Sequence, residues 1–193
     1  MRARGYDRVL LEQAREAVER GKVADELITK ISEAFRGVAL GDGVGLQQAK
    51  GLDDYEDEAT CAAYRENDEK EDWRAISSDD LNRCDSSLSF FDPEGMRFHL
   101  PAYMIAELRG EYGFGMSFRL THLDTHGRSY FSALSPVQRQ GESSFCSFEK
   151  SQIITSTGLR LIRHWRPSGS LTLSPKQPML DEPARPTADN VPL

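Results

Sequence analysis

The chain has 193 residues, of which 38% are hydrophobic and 28% charged, with a formal net charge of −7. That length and composition fit one globular domain with a sizeable core and room for a tail. The acidic balance argues against a general affinity for nucleic-acid backbone, which needs clustered Lys and Arg, and no apolar run reaches the length of a membrane helix.

Three cysteines, Cys61, Cys84 and Cys146, have the spacing of neither a zinc ligand set nor a disulfide framework. Free thiols in a reducing compartment are the simplest reading. The first residues carry charge throughout (Arg2, Arg4, Asp7, Arg8) and contain no apolar signal core. A cytoplasmic protein is expected.

In chain order, Tyr6 to Phe35 repeats apolar residues at helical spacing in two sets: Val9, Leu10, Ala14, Ala17 and Val18, then Leu27, Ile28, Ile31, Ala34 and Phe35. Gly21 lies between them. The pattern predicts two amphipathic helices, or one interrupted near Gly21, with the second set in the core. Residues 1–22 read as a helical extension ahead of the domain. Gly41, Gly43 and Gly45 follow a helix and precede no Gly-Lys-Ser/Thr, so they read as a connector and not as a phosphate loop.

Residues 46–72 look helical but very polar. From Asp53 to Asp80 there are 12 acids against 3 bases (Arg65, Lys70, Arg74), a balance of −9. A solvated helix face is the ordinary reason for such a run. The functional alternative is an acidic surface for a basic protein, built from Asp53, Asp54, Glu56, Asp57, Glu58, Asp68, Glu69, Glu71 and Asp72. Calcium fits poorly, because the ligand spacing and loop glycine of an EF-hand are missing.

Ser77 or Ser78 can cap a short helix. Asp92-Pro93-Glu94-Gly95 reads as a turn or as a helix start, and Pro101 is expected to open a helix running to about Arg109 and ended by Gly110. Around residues 114–122, Phe114, Met116, Phe118, Leu120 and His122 alternate with other residues, which predicts a short strand or hairpin. Ser135-Pro136 has the form of another helix start. The fold expected from these elements is mainly α, a small helical domain over residues 23–140.

The segment Asp72–Tyr103, D-W-R-A-I-S-S-D-D-L-N-R-C-D-S-S-L-S-F-F-D-P-E-G-M-R-F-H-L-P-A-Y, resembles a bacterial family of domains of unknown function, family 6714. Its L-S-F and L-P-A-Y blocks carry the resemblance, over roughly residues 28–140. The resemblance implies a compact domain; the family has no assigned activity, so no catalytic residue follows from it. Beyond Gln140 the chain turns rich in Ser, Thr and Pro. In a shifted reading frame, Ser147–Trp165 can encode L-R-E-E-P-D-Y-H-F-D-R-P-A-I-D-Q-A-L, which resembles the way members of the family end. Residues 141–193 are therefore expected to be a divergent, poorly ordered tail, either the product of a frameshift near Gln140 or a genuinely divergent end.

Candidate chemistry is sparse. On a strand, His122, Asp124 and His126 share one face and make a plausible zinc or iron set; a turn at Gly127 is the bland alternative. Cys61 lies among alanines, Cys84 ends a short helix and could be exposed, and no G-x-S-x-G elbow exists. Glu94 and Arg97, at i,i+3, suit a buried ion pair, with His99 beside them. Trp73, Phe90, Phe91, Phe98 and Tyr103 read as core. Three functions are open at this point. The first is a non-enzymatic acidic binding module, such as an immunity protein that masks a basic toxin. The second is a metal protein or enzyme using His122, Asp124 and His126. The third is a structural accessory domain. No cofactor is expected.

Overall fold

The computed structural model describes residues 3–116, 120 and 127–155. They form a mainly helical domain: α1 (Ala3–Ala34), α2 (Leu46–Asp53), α3 (Glu58–Asn67), α4 (Ser78–Arg83), α5 (Pro93–Leu108), α6 (Gly127–Tyr130) and α7 (Pro136–Thr155), with 3-10 turns at Trp73–Ala75 and Asp85–Ser89. No strand occurs among the described residues.

The core is built around α5. Residues from Gly95 to Glu107 are buried except Arg97, so this helix is enclosed on nearly every side, as an apolar run without a polar face requires. Packed with it in one cluster are Leu27, Ile31 and Phe35 of α1, Trp73, Leu81, Leu88, Phe91, Met116, Leu134 and Phe145. Buried polar groups of the core find backbone partners. The Trp73 indole donates to the Phe35 carbonyl at 2.9 Å, Tyr103 Oη to the Cys84 carbonyl at 3.0 Å, and Ser87 Oγ to the Leu46 carbonyl at 3.0 Å.

Helix ends follow local chemistry. Ser77 caps α4 by accepting from the Asp80 N–H at 3.1 Å. Ser135 and Gln138 form a reciprocal capping box at the start of α7, Gln138 N–H to Ser135 Oγ and Ser135 N–H to Gln138 Oε1. The chain leaves α5 through Gly110 at φ +70°, with Glu111 N–H bonded to the Ala106 carbonyl and Gly110 N–H to that of Glu107, the two bonds of a Schellman ending.

Several expectations are corrected. α1 is one helix that runs through Gly21 without a break; a lone glycine costs only about 1 kcal/mol and does not end a helix. α5 starts at Pro93, not Pro101: Asp92 supplies the cap, and Pro101 lies inside the helix, where it forgoes one hydrogen bond within an enclosing core. No strand is found in the described part of 114–122: Met116 and Leu120 are both helical and both buried. Residues four apart satisfy both the alternating and the helical period, so that pair misleads. The domain does not end at Gln140. α7 continues through it to Thr155 and buries Phe145, Cys146 and Glu149, with Gly141 set against Ile31 of α1. Residues 156–193, the rest of the expected tail, lie outside the described residues.

Candidate functional site

The acidic run folds as a helical hairpin, α2 and α3, joined by Asp54–Asp57. α2 ends in a Schellman arrangement: Glu56 N–H bonds the Gly51 carbonyl at 2.9 Å and Tyr55 N–H that of Leu52 at 3.3 Å. The residue after the C-cap then takes a left-handed conformation, and here that residue is Tyr55, at φ +60°. Glycine is the usual occupant, because a side chain there costs roughly 1–2 kcal/mol. The tyrosine ring gains nothing from the domain in return, being 95% exposed. Leu52 and Tyr64, also partly exposed, lie on the same hairpin.

Carboxylates surround this tip. Asp54, Glu56, Asp57 and Glu58 are exposed and Asp53 half-buried. Lys50 takes up part of the charge, pairing with Asp54 at 2.5 Å and Asp53 at 3.6 Å. Its ammonium is held above the usual lysine range, first by the hydrogen bond to Asp54. Asp57 caps α3 through the Thr60 N–H at 2.7 Å, a bond that lowers its carboxyl below the ordinary range. The carboxylates of Glu56 and Glu58 are in none of the side-chain hydrogen bonds or ion pairs seen among the described residues.

The second half of the run, residues 68–72, ties the chain down. Asp68 is buried and accepts from the Gln47 and Gln48 N–H groups at 2.7 and 3.1 Å, capping α2 from another part of the sequence. Burial raises its carboxyl pKa, against the lowering effect of those two bonds and of Arg65 and Lys70. Glu69 Oε1 accepts from three successive N–H groups, those of Lys70, Glu71 and Asp72. The Asp72 and Glu71 bonds dominate in lowering its pKa. Asp72 caps the turn at Trp73 and pairs with Arg74 at 2.8 Å. Of this half only Glu71 is exposed. The nine acids expected to form one surface thus divide into an exposed tip and a stapling segment, and Asp68 presents nothing to a partner.

Trp73, Phe91 and Tyr103 are buried, whereas Phe90, the residue that ends the Asp85–Ser89 turn, is 36% exposed. Glu94 is exposed beside Gly41, and no ion pair joins it to Arg97, whose Nε is buried without a hydrogen-bond partner. His122, Asp124 and His126 lie outside the described residues. Among the described residues no three His, Cys, Asp or Glu side chains converge as metal ligands. All three cysteines are free and buried, Cys84 included, against its expected exposure. Burial raises the Cys84 thiol and, with Glu142 beside it, pushes that of Cys146 up to about 12; such thiols make poor nucleophiles.

Two features escape a reading of residue types. His99 is fully buried, stacked on Phe91 with ring centroids 4.3 Å apart, and its Nδ1–H donates to the Gly95 carbonyl at 2.7 Å. Its Nε2 has no partner. Burial lowers its pKa to about 4, so the ring is neutral at pH 7. Tyr55 is the other: only the backbone conformation distinguishes it, and the sole trace in the sequence is an aromatic residue set inside D-D-Y-E-D-E.

No helix among the described residues is long and apolar enough to cross a membrane. No curated protein and no solved structure matches this chain. The family model described as "Family of unknown function (DUF6714)" matches residues 23–155, most of the chain and all of α2 to α7, past Gln140 to the end of the last described helix. The chain therefore belongs to the DUF6714 family.

Proposed function

We propose that this chain is a non-enzymatic docking module that binds a basic protein through the tip of the α2–α3 hairpin. Tyr55 supports the reading. It is a large aromatic side chain, 95% exposed, held in a left-handed conformation that costs stability, amid Asp53, Asp54, Glu56, Asp57 and Glu58. Strain at an exposed position that earns no packing is a reason to look for function there. Aromatic anchors inside a charged rim are typical of binding hot spots: the ring supplies area, and the carboxylates steer and orient a cationic partner. An immunity-type protein masking the basic surface of a toxin is one form this activity would take.

The test uses a synthetic Lys- and Arg-rich helical peptide carrying one apolar residue as probe, titrated by fluorescence anisotropy against the full chain at low and high salt. Binding is expected to weaken with salt, to fall at least tenfold in Tyr55→Ala, and to fall again in Glu56→Lys/Glu58→Lys. Asp79→Asn, a change at an exposed acid outside the tip, is expected to bind as the wild type does. Equal loss in the Asp79 and Tyr55 variants would reduce the effect to net charge and defeat the proposal.

A further inference from the structure

The face of α1 that enters the core does not stop where the domain stops. Ala24, Leu27 and Ile31 are buried. Ahead of them Leu10, Ala14, Ala17 and Gly21 continue a seven-residue seam, with Leu11 and Val18 along one flank. Leu10, Leu11 and Val18 are 56%, 62% and 61% exposed, and every residue from Arg8 to Arg20 is exposed. A helical arm of this length is marginal in water unless something covers its apolar side. Among the described residues the arm carries one exposed ion pair, Lys22 with Glu19, and such a pair contributes little.

We infer that a second copy of this chain covers the arm, the two α1 helices pairing antiparallel over residues 8–23. Charge favours a second copy here. Arg8, Arg15, Arg20 and Lys22 stand against Glu12, Glu16 and Glu19, a balance of +1 on a chain whose net charge is −7. The arm is therefore a nearly neutral place where two such acidic chains approach with little repulsion. The direction follows from the same bookkeeping: parallel arms set two domains, each with its −9 segment, side by side, while antiparallel arms send them to opposite ends. Shape agrees. With Ala14 opposite Ala17 of the second copy, Leu10 meets Gly21 and Leu11 lies along Val18, so large residues face small ones across the seam and the flank is closed by apolar side chains. Sixteen residues of helix span about 24 Å, and a face of that length about 10 Å wide covers roughly 240 Å², well short of the roughly 800 Å² per partner of a standard interface. The dimer is therefore reversible and concentration-dependent.

Sedimentation equilibrium of the full chain from low micromolar to a few hundred micromolar tests this. The mass is expected to climb from 21.7 kDa toward twice that value, and Leu11→Glu/Val18→Glu is expected to stay monomeric with an unchanged thermal unfolding midpoint. A monomer at every concentration overturns the inference, whether the face is open or covered by residues 156–193 of the same chain; a dimer that survives Leu11→Glu/Val18→Glu overturns it too. Cysteine cross-linking fixes direction: Ala14→Cys mixed with Ala17→Cys is expected to give a disulfide-linked pair. Leu10→Cys alone, about 16 Å from its mate in this arrangement, is expected to give none, and efficient Leu10→Cys linkage would refute antiparallel pairing.

Discussion

The Asp92 carboxylate accepts the backbone N–H of Val44 at 2.9 Å, across 48 positions of sequence. The same oxygen accepts the Gly95 N–H at 2.8 Å as the N-cap of α5. One side chain thus starts the central helix and pins the glycine connector to it. Asp92→Ala is expected to destabilise the domain by about 2–4 kcal/mol: about 1 from the lost cap and about 1–3 from a part-buried donor at Val44 left unpaired. Urea unfolding at neutral pH measures it. Asp92→Asn, which keeps an acceptor oxygen, is expected to lose less than half as much.

The connector is glycine-rich because of what it touches. A Cβ on Gly43 would sit 2.5 Å from the Gly95 nitrogen, and one on Gly95 would sit 2.5 Å from the Val44 carbonyl oxygen. Both obstacles are backbone and cannot rotate away. Gly43→Ala and Gly95→Ala are each expected to cost about 3 kcal/mol or more by forcing the loop off the helix. Combined in one chain they are expected to cost clearly less than the sum, because either change already opens the same seam. Additive losses in chemical denaturation would show that the two glycines are independent.

Much of this framework is legible in the sequence, and the exceptions have physical causes. Apolar period and cap chemistry locate the core half of α1, the Ser77 and Ser135 caps and the Gly110 ending, because each depends on residues within one turn. Pro101 misleads, since proline signals a helix start only where the helix must survive without tertiary support. Met116 and Leu120 mislead because a four-residue spacing is common to helix and strand patterns. In the acidic run, residue type cannot separate Glu56, which faces water, from Asp68, which caps α2 from 20 positions away. That distinction is made by tertiary contacts, and so is the left-handed conformation of Tyr55.

His99 gives the stability of the domain a defined pH dependence. Its pKa falls from 6.5 in the unfolded chain to about 4 in the folded one. Between those values the unfolded state binds more protons than the folded state, so stability rises with pH through the window and is lost as pH falls from 6.5 toward 4. The difference corresponds to about 3 kcal/mol. Denaturant midpoints measured at pH 7 and pH 4.5 are expected to separate in the wild type and to draw together in His99→Gln, which can still donate to the Gly95 carbonyl but does not titrate. An equal acid loss in both chains would assign the effect to carboxylates elsewhere.

Tyr55→Gly sets stability against docking. The substitution relieves a left-handed strain of roughly 1–2 kcal/mol and gives back part of it as extra freedom in the unfolded chain, about 0.5–1 kcal/mol. Because the ring is 95% exposed, no packing is lost. The net expectation is a domain about 0.5–1 kcal/mol more stable, with a raised thermal midpoint, that binds the cationic probe at least tenfold more weakly. Tyr55→Ala keeps the strain and loses the ring, so it is expected to bind as weakly without becoming more stable. That pair of variants separates the two roles of one position: backbone geometry governs the stability change, and the aromatic ring governs binding. A Tyr55→Gly chain that is less stable than the wild type would mean that the ring supports the hairpin, and Tyr55 would then be a structural residue and not a site kept at the expense of stability.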